Sequence, residues 1–386
     1  MFSAAVGHSE DTDATDVANE LVDRCTKQLG DAPAKAGLLF AAIDFDHQEL
    51  LDQIDRRVPG LELIGCTTDG ELSSEIGFRE DSATLILFAS DTVDLTTGVG
   101  RAMSRDLAGA CRSAAEQAQA KTVKRPRLYV TAPEGLTSEG HILTKTLQET
   151  VGLDIPIFGA LAGDQWRLKN TKQFYGTTVL SDSVPVMLFS GEFTFSYGVA
   201  GGWRQVGEVG RVTRATGAVV HEIDDAPAVD FYRRYLGLGV NPTVEMPLAI
   251  LDASDRIEYL RGSWGVVDDA TGAVTFLAAV PEGARVQVTV TDRDSILKGC
   301  LESLSIATSN LPDGATADFG LFFSCCARKL MLGTRTEEEL KLVRGALGDQ
   351  VPVCGFYGYG ELSPQQGDPT GTKYHNESFV SLLIVA

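Results

Sequence analysis

Apolar positions along the chain switch between two spacings, and the switches mark out the elements. Val17, Leu21, Val22, Cys25 and Leu29 fall on one helical face, which predicts a helix from about Thr15 to Leu29 stopped at Gly30. A strand-length apolar run, Gly37 to Ile43, comes next. Asp46 and Glu49 then stand in capping-box spacing ahead of Leu50, Leu51, Ile54 and Val58, and Pro59-Gly60 closes that helix. The following strand ends in Leu63-Ile64-Gly65 and leads through a short turn to Gly70-Glu71.

The same order recurs twice. Leu128 to Thr131 reads as a strand, Thr137 to Val151 as a helix, and Ile157-Phe158-Gly159 as a strand whose turn ends in Gly163-Asp164. Phe319 to Cys325 is the matching strand of the third copy, with Thr336 and Glu339 as a capping box before Leu340, Val343 and Leu347. There, Val353-Cys354-Gly355 leads to Gly360-Glu361. An apolar strand follows each turn: Ala83 to Ala89, Val184 to Phe189 and Phe379 to Val385. A pattern that repeats in this way is an architectural unit. Its strand-helix-strand step favours a parallel pair, and a closing strand running the other way would make the sheets mixed.

Between copies lie the strands Thr96 to Gly100 and Arg285 to Thr291, and the helices Ser104 to Ala120, Ala226 to Leu236 and Asp294 to Thr308. The glycine-rich stretch Gly198 to Gly217 and the turn Gly237 to Pro242 read as the joint between halves. The expected fold class is α/β, with mixed sheets, flanking helices and two related halves built from repeated strand-helix-strand-turn-strand units.

Composition narrows the function classes. A net charge of −20 and a pI near 4.6 argue against phosphate-backbone binding and against docking on anionic lipid. No apolar run approaches the ~20 residues of a membrane span. The N-terminus is acidic rather than basic and apolar, so no secretory signal is read there. Seven cysteines without a CxxC pair fit a reducing compartment, and the cytoplasm is the expected location.

Several stretches in order give the chain a family likeness. They are Ile64-Gly65-Cys66-Thr67-Thr68-Asp69-Gly70-Glu71, Phe158-Gly159-Ala160 with Ala162-Gly163-Asp164, Gly202-Trp203, and Glu222-Ile223-Asp224 to Tyr232. Towards the end come Phe323-Ser324-Cys325 with Arg328, Gly355-Phe356-Tyr357 with Gly360-Glu361, and His375-Asn376 with Ser378. The chain resembles the FIST family, named for F-box and intracellular signal-transduction proteins. The resemblance implies an N-terminal helix and tail (1–33), a FIST N domain (34–230), a FIST C domain (231–367) and a closing strand of the C half (368–386). It also implies a sensory module for a small ligand, with amino acids proposed as the class and haem linked to some members. No kinase, cyclase or F-box segment is read in the chain, so signalling output is expected from a separate partner protein.

Asp69, Glu71, Asp164 and Glu361 sit on or beside the turn glycines, where backbone can approach a ligand closely. Carboxylates there suit ammonium or hydroxyl groups; as helix or turn caps they would instead be structural. Arg328 at a strand end can fork onto a ligand carboxylate or pair with one of the turn acids. Tyr357, His375 and Asn376 complete the expected ligand-binding set, with Trp166 as a further wall. His375 as an axial haem ligand is the alternative reading, and an enzyme built on Cys325 or paired acids is the third. No HxH or HExxH spacing supports zinc, and Glu71-Leu72 stands where a phosphate loop needs Lys and Ser or Thr. The reading is therefore of a non-enzymatic binding protein with no assigned metal or catalytic residue.

Overall fold

A computed structural model describes residues 2–137 and 139–386. The first unit runs β1 (Phe2–Ser9), α1 (Ala14–Leu29), β2 (Ala36–Ala41), α2 (His47–Arg57), β3 (Glu62–Thr67), β4 (Glu71–Ser73), β5 (Gly77–Arg79) and β6 (Ala83–Ser90). The second runs β7 (Val93–Arg101), α3 (Leu107–Gln119), β8 (Pro126–Thr131), α4 (Gly140–Val151), β9 (Ile157–Ala160), β10 (Gln173–Tyr175), β11 (Thr178–Leu180) and β12 (Ser183–Gly191). A helix start at Thr137 would cross Ser138, which lies outside the described residues.

The third unit opens with β13 (Thr194–Ala200) and is then interrupted. The insertion comprises β14 (Arg204–Thr216), β15 (Val219–Ile223), β16 (Ala226–Pro227), α5 (Ala228–Leu236), β17 (Leu248–Leu251), β18 (Ile257–Arg261), β19 (Ser263–Val267), β20 (Val274–Phe276) and β21 (Arg285–Val290). The unit resumes with α6 (Arg293–Ser309), β22 (Phe319–Cys325), α7 (Cys326–Leu332), α8 (Glu337–Leu347), β23 (Val353–Gly358), β24 (Glu361–Pro364), β25 (Thr372–His375) and β26 (Phe379–Val385). The fold is α/β with mixed sheets and flanking helices. In each unit one pair is parallel, β2 with β3, β8 with β9 and β22 with β23, and the closing strand runs antiparallel to the first of them.

Three sheets have one plan, and each is completed by its neighbour. Their orders are β1-β6-β2-β3-β10-β11, β7-β12-β8-β9-β24-β25 and β13-β26-β22-β23-β4-β5. The short hairpin after each glycine turn thus leaves its own unit: the first joins the third sheet, the second the first, and the third the second. The insertion forms a separate antiparallel sheet, ordered β18-β17-β21-β14-β15-β20-β19.

Apolar side chains explain why the three sheets close on one another. Phe40, Ile64 and Phe88 of the first sheet, Val130, Phe158 and Phe189 of the second, and Phe323, Phe356 and Val380 of the third share one central core. The outer faces bury α1 and α2, α3 and α4, or α6 and α8 over separate clusters. Strands such as β6, β12 and β22 are buried on both faces, which is why they read as continuous apolar runs rather than alternating ones.

The strand β1 was not read from the sequence, where the acidic run from Glu10 dominates that end. Phe2 to Ser9 pair along their whole length with β6. The glycine stretch read as a joint is the entrance to the insertion, whose first strand, β14, it contains.

Candidate ligand-binding site

The glycine turns meet on one axis through their backbones. Gly163 N donates to Thr67 O at 2.9 Å, Asp69 N to Tyr357 O at 2.8 Å, and Leu161 N to Gly360 O at 2.9 Å. Each turn therefore touches both others. The acids beside them do not follow the expected correspondence. Strand register places Glu71 opposite Phe356, Gln173 opposite Cys66 and Glu361 opposite Ala160, each partner being the residue after the turn glycine. The counterpart of Glu71 and Glu361 is thus Gln173, and Asp164 belongs to the longer second turn.

The same register aligns Ser82, Ser183 and Ser378 at the head of the closing strands, and each bonds the residue just named. Glu71 accepts from the Ser82 hydroxyl, Gln173 Oε1 from Ser183 at 3.1 Å, and Glu361 Oε2 from Ser378 at 2.7 Å. Before each serine stands an acid: Asp81, Asp182 and Glu377. This acid-serine repeat is a signal in the sequence for Glu377.

The copies differ in what is left unsatisfied. Glu71 also accepts from Thr68, and Gln173 also donates to Thr171 at 3.1 Å. Asp182 accepts from Ser104 N at 2.8 Å, and Asp81 from Gln165 at 2.8 Å. In the third copy Glu361 Oε1 has no partner among the described residues, and neither has either oxygen of Glu377. Glu377 is fully buried, with a backbone φ of 61°. Burial first, and then the nearby Glu361 carboxylate, push its carboxyl well above the usual range. Burial likewise pushes Glu361 up to about 8, against the opposing Ser378 bonds.

Over this copy the insertion closes down. Gly262, between β18 and β19, faces Glu377 so closely that a Cβ there would lie 2.8 Å from Oε1. Together the second unit, the third unit and the insertion enclose a cavity of about 440 Å³. Glu377, Asn376, Cys325, Cys326, Tyr359 and Trp166 line it, with Trp264 contributed by the insertion. Asn376 Oδ1 is a further buried oxygen without a partner among the described residues.

The remaining expected site residues are placed as follows. Asp69 is buried beside the cavity's Cys326; its Oδ1 accepts from Gln165 N at 2.6 Å, and burial raises its carboxyl to about 6. Asp164 is a turn staple, accepting from Leu168 N, Lys169 N, Asn170 N and the Tyr359 hydroxyl. Burial alone would raise it, but these donors together hold it below the ordinary carboxylate range. Glu71 is pushed up to about 8 by burial inside its Thr68 and Ser82 bonds, apart from the cavity.

Arg328 does not reach a ligand, and its partner is not a turn acid. It is fully buried against Glu339, with Nη2 to Oε1 at 2.5 Å, and donates to the Gly201 and Ile296 carbonyls. Tyr357 donates to the same Glu339 at 2.5 Å. Spacing alone assigns Glu339 to a capping box, but Thr336 makes no side-chain cap and Glu339 turns inward to balance the arginine. His375 Nε2–H donates to Ser363 O at 3.0 Å, which leaves that nitrogen no lone pair for iron. The cavity on the His375 side is lined by Asp255, Arg256, Glu258 and Glu302 among apolar residues such as Trp203, Ile257 and Leu260. Among the described residues no group of three His, Cys, Asp or Glu is placed to hold a metal ion. Cys325 and Cys326 are buried, and their thiols lie above the usual range, Cys326 at about 11 from burial. That disfavours a reactive thiolate.

Sequence models of the family's two domains match residues 35–226, as FIST N domain, and 228–364, as FIST C domain. The chain belongs to the FIST family. Membership supports a sensory role in signal transduction for this FIST protein. Its first two units precede the boundary between the matches, which falls within the insertion. Relatives named as uncharacterized proteins in two strains of Mycobacterium tuberculosis are 26% identical over 384 residues, covering 94% of this chain and 95% of theirs. Another from Methanocaldococcus jannaschii is 26% identical over 276 residues, covering 65% of this chain and 50% of its own. Among solved structures, two of cyanuric acid hydrolase align over the whole chain and 99% and 100% of their own, at 10% identity and TM-scores of 0.34 and 0.37. Among the described residues no helix of the FIST protein is long and apolar enough to cross a membrane.

One test concerns the repeat itself. Folded Glu361 keeps a proton that the unfolded chain loses above about pH 4.5. Its contribution to stability is therefore full below that pH and falls away as pH rises towards about 8. Glu361→Gln copies the amide that Gln173 already presents to its serine, so it should fold. Urea unfolding between pH 5 and 8 is expected to show a pH slope shallower by up to about 1.4 kcal/mol per pH unit. An unchanged slope would mean the carboxyl is ionised throughout.

Proposed function

We propose that this FIST protein is a non-enzymatic sensor that holds a small polar ligand in the cavity beneath the insertion. The observation that carries the reading is Glu377, a fully buried carboxyl at the cavity wall whose two oxygens find no partner among the described residues. A buried polar group left unmade costs about 1–3 kcal/mol, and a ligand that supplies donors recovers it. The volume suits a small metabolite. Of the residues first expected to bind it, Asn376 lines the cavity, while Glu361 and Asp69 stand behind its thiols. Arg328, Tyr357, His375, Glu71 and Asp164 hold the frame instead. The ligand touches both body and insertion, so binding fixes the insertion's seat, and a separate output protein reads that position. Seven free cysteines favour a reducing cytoplasm as the setting.

A thermal-shift screen of the purified chain against a metabolite library tests this. A true ligand at 100 times its dissociation constant should stabilise the fold by about 2.7 kcal/mol. The gain should disappear in Glu377→Gln. A ligand that stabilises both proteins equally binds elsewhere and removes this assignment.

A further inference from the structure

We propose that the cavity selects small organic ammonium cations that carry no carboxylate of their own; this rests on the binding reading above and narrows it. Charge is the first ground. The charged residues lining the cavity, Glu139 and Glu377, are both acidic, and no lysine, arginine or histidine among the described residues lines it. The cations nearby are engaged elsewhere. Arg328 is held by Glu339, Arg261 Nη1 donates to the Leu260 and Tyr374 carbonyls, and Lys329 Nζ donates to Asp69 O at 2.6 Å and pairs with Glu80. A ligand carboxylate would find no side-chain counter-charge there, so a zwitterionic amino acid is half matched.

Hydrogen-bonding capacity is the second ground. The oxygens without a partner are both of Glu377, Oδ1 of Asn376 and, behind Cys325, Oε1 of Glu361, and an ionised Glu377 offers acceptors alone. Their complement is a positively charged ammonium group, with N–H or O–H donors wherever its alkylation leaves them. A buried carboxyl without a partner stays protonated, whereas an incoming ammonium supplies the counter-charge that lets it ionise.

The walls supply the third. Trp166 and Trp264 meet edge to face, with centroids 5.4 Å apart at 81°, and Tyr359 stands 6.3 Å from Trp166. Aromatic faces beside a buried acid are the surroundings in which alkylated ammonium groups are attracted most strongly. Trp264 is 46% exposed on the insertion, a large apolar surface left open at the cavity rim.

Calorimetric titration of the full chain with choline, phenethylammonium and n-butylammonium chlorides tests the inference. The neutral choline isostere 3,3-dimethyl-1-butanol and the zwitterion glycine betaine serve as comparators. At least one ammonium probe is expected to bind at least tenfold more tightly than both comparators. Glu377→Gln should weaken that probe at least tenfold. Trp264→Ala, at an exposed position, should weaken it severalfold while circular dichroism and the melting temperature stay unchanged. Equal binding of the neutral alcohol, tighter binding of betaine, or no binding of any ammonium probe at 10 mM overturns the ammonium class. If in that case a library metabolite still stabilises the protein in a Glu377-dependent way, the sensor reading stands alone. If none does, both fall.

Discussion

Gly65→Ala should remove most of the folded protein. A Cβ on Gly65 would lie 1.8 Å from the carbonyl oxygen of Leu39, its partner across the parallel β2–β3 pair. No rotamer relieves that contact, because both atoms belong to backbone. The counterparts Gly159 and Gly355 would place a Cβ 2.0 Å from Thr131 O and 2.2 Å from Phe322 O. Each replacement is expected to cost more than about 3 kcal/mol, the upper range for overpacking, because the parallel pair must separate. Gly345→Ala is the contrast: it sits within α8 with nothing within 4 Å, and alanine there should stabilise by about 0.5–1 kcal/mol. Urea midpoints of the four variants decide the matter. Wild-type midpoints for the three strand variants would show that the backbones do not approach this closely.

Arg328→Met is expected to be nearly as damaging, at about 3–5 kcal/mol, since it strands Glu339 as a buried charge without its partner. The double variant Arg328→Met with Glu339→Leu should recover part of that loss by removing the orphaned carboxylate. Recovery should stay incomplete, because the Gly201 and Ile296 carbonyls and the Tyr357 hydroxyl lose their partner as well. A double variant no more stable than the single one would show that the cost comes from packing rather than charge.

The periodic elements were readable because each rests on local spacing. The helix expected from Thr15 is α1, capped by Asp13, and the Asp46 side chain does accept from Glu49 N. The triple glycine-turn pattern was legible too, since a glycine that must lose its side chain to pack is visible as a letter. What depended on distant partners was not. The hairpin strands β4, β10 and β24 are three or four residues long, too short to show which sheet they join. Asp164 was matched to Glu71 by its place after a glycine, whereas only strand register reveals Gln173. Thr336 and Glu339 fit a capping rule, yet the demand of a buried arginine outweighed it. Glu377 carries no sequence mark beyond its place before Ser378, because its distinction is the insertion above it, a feature of three dimensions.

Exchanging hairpins among the sheets also governs how the polypeptide can be made. Ser74, at the tip of the first hairpin, bonds Val353, 279 residues further along. At ribosomal rates of 5–20 residues per second, roughly 14–56 s pass before that partner emerges. Throughout that interval a strand edge of the nascent chain lies open to stray pairing. Maturation of this protein therefore waits on its final third, where the strand that receives the first hairpin is encoded.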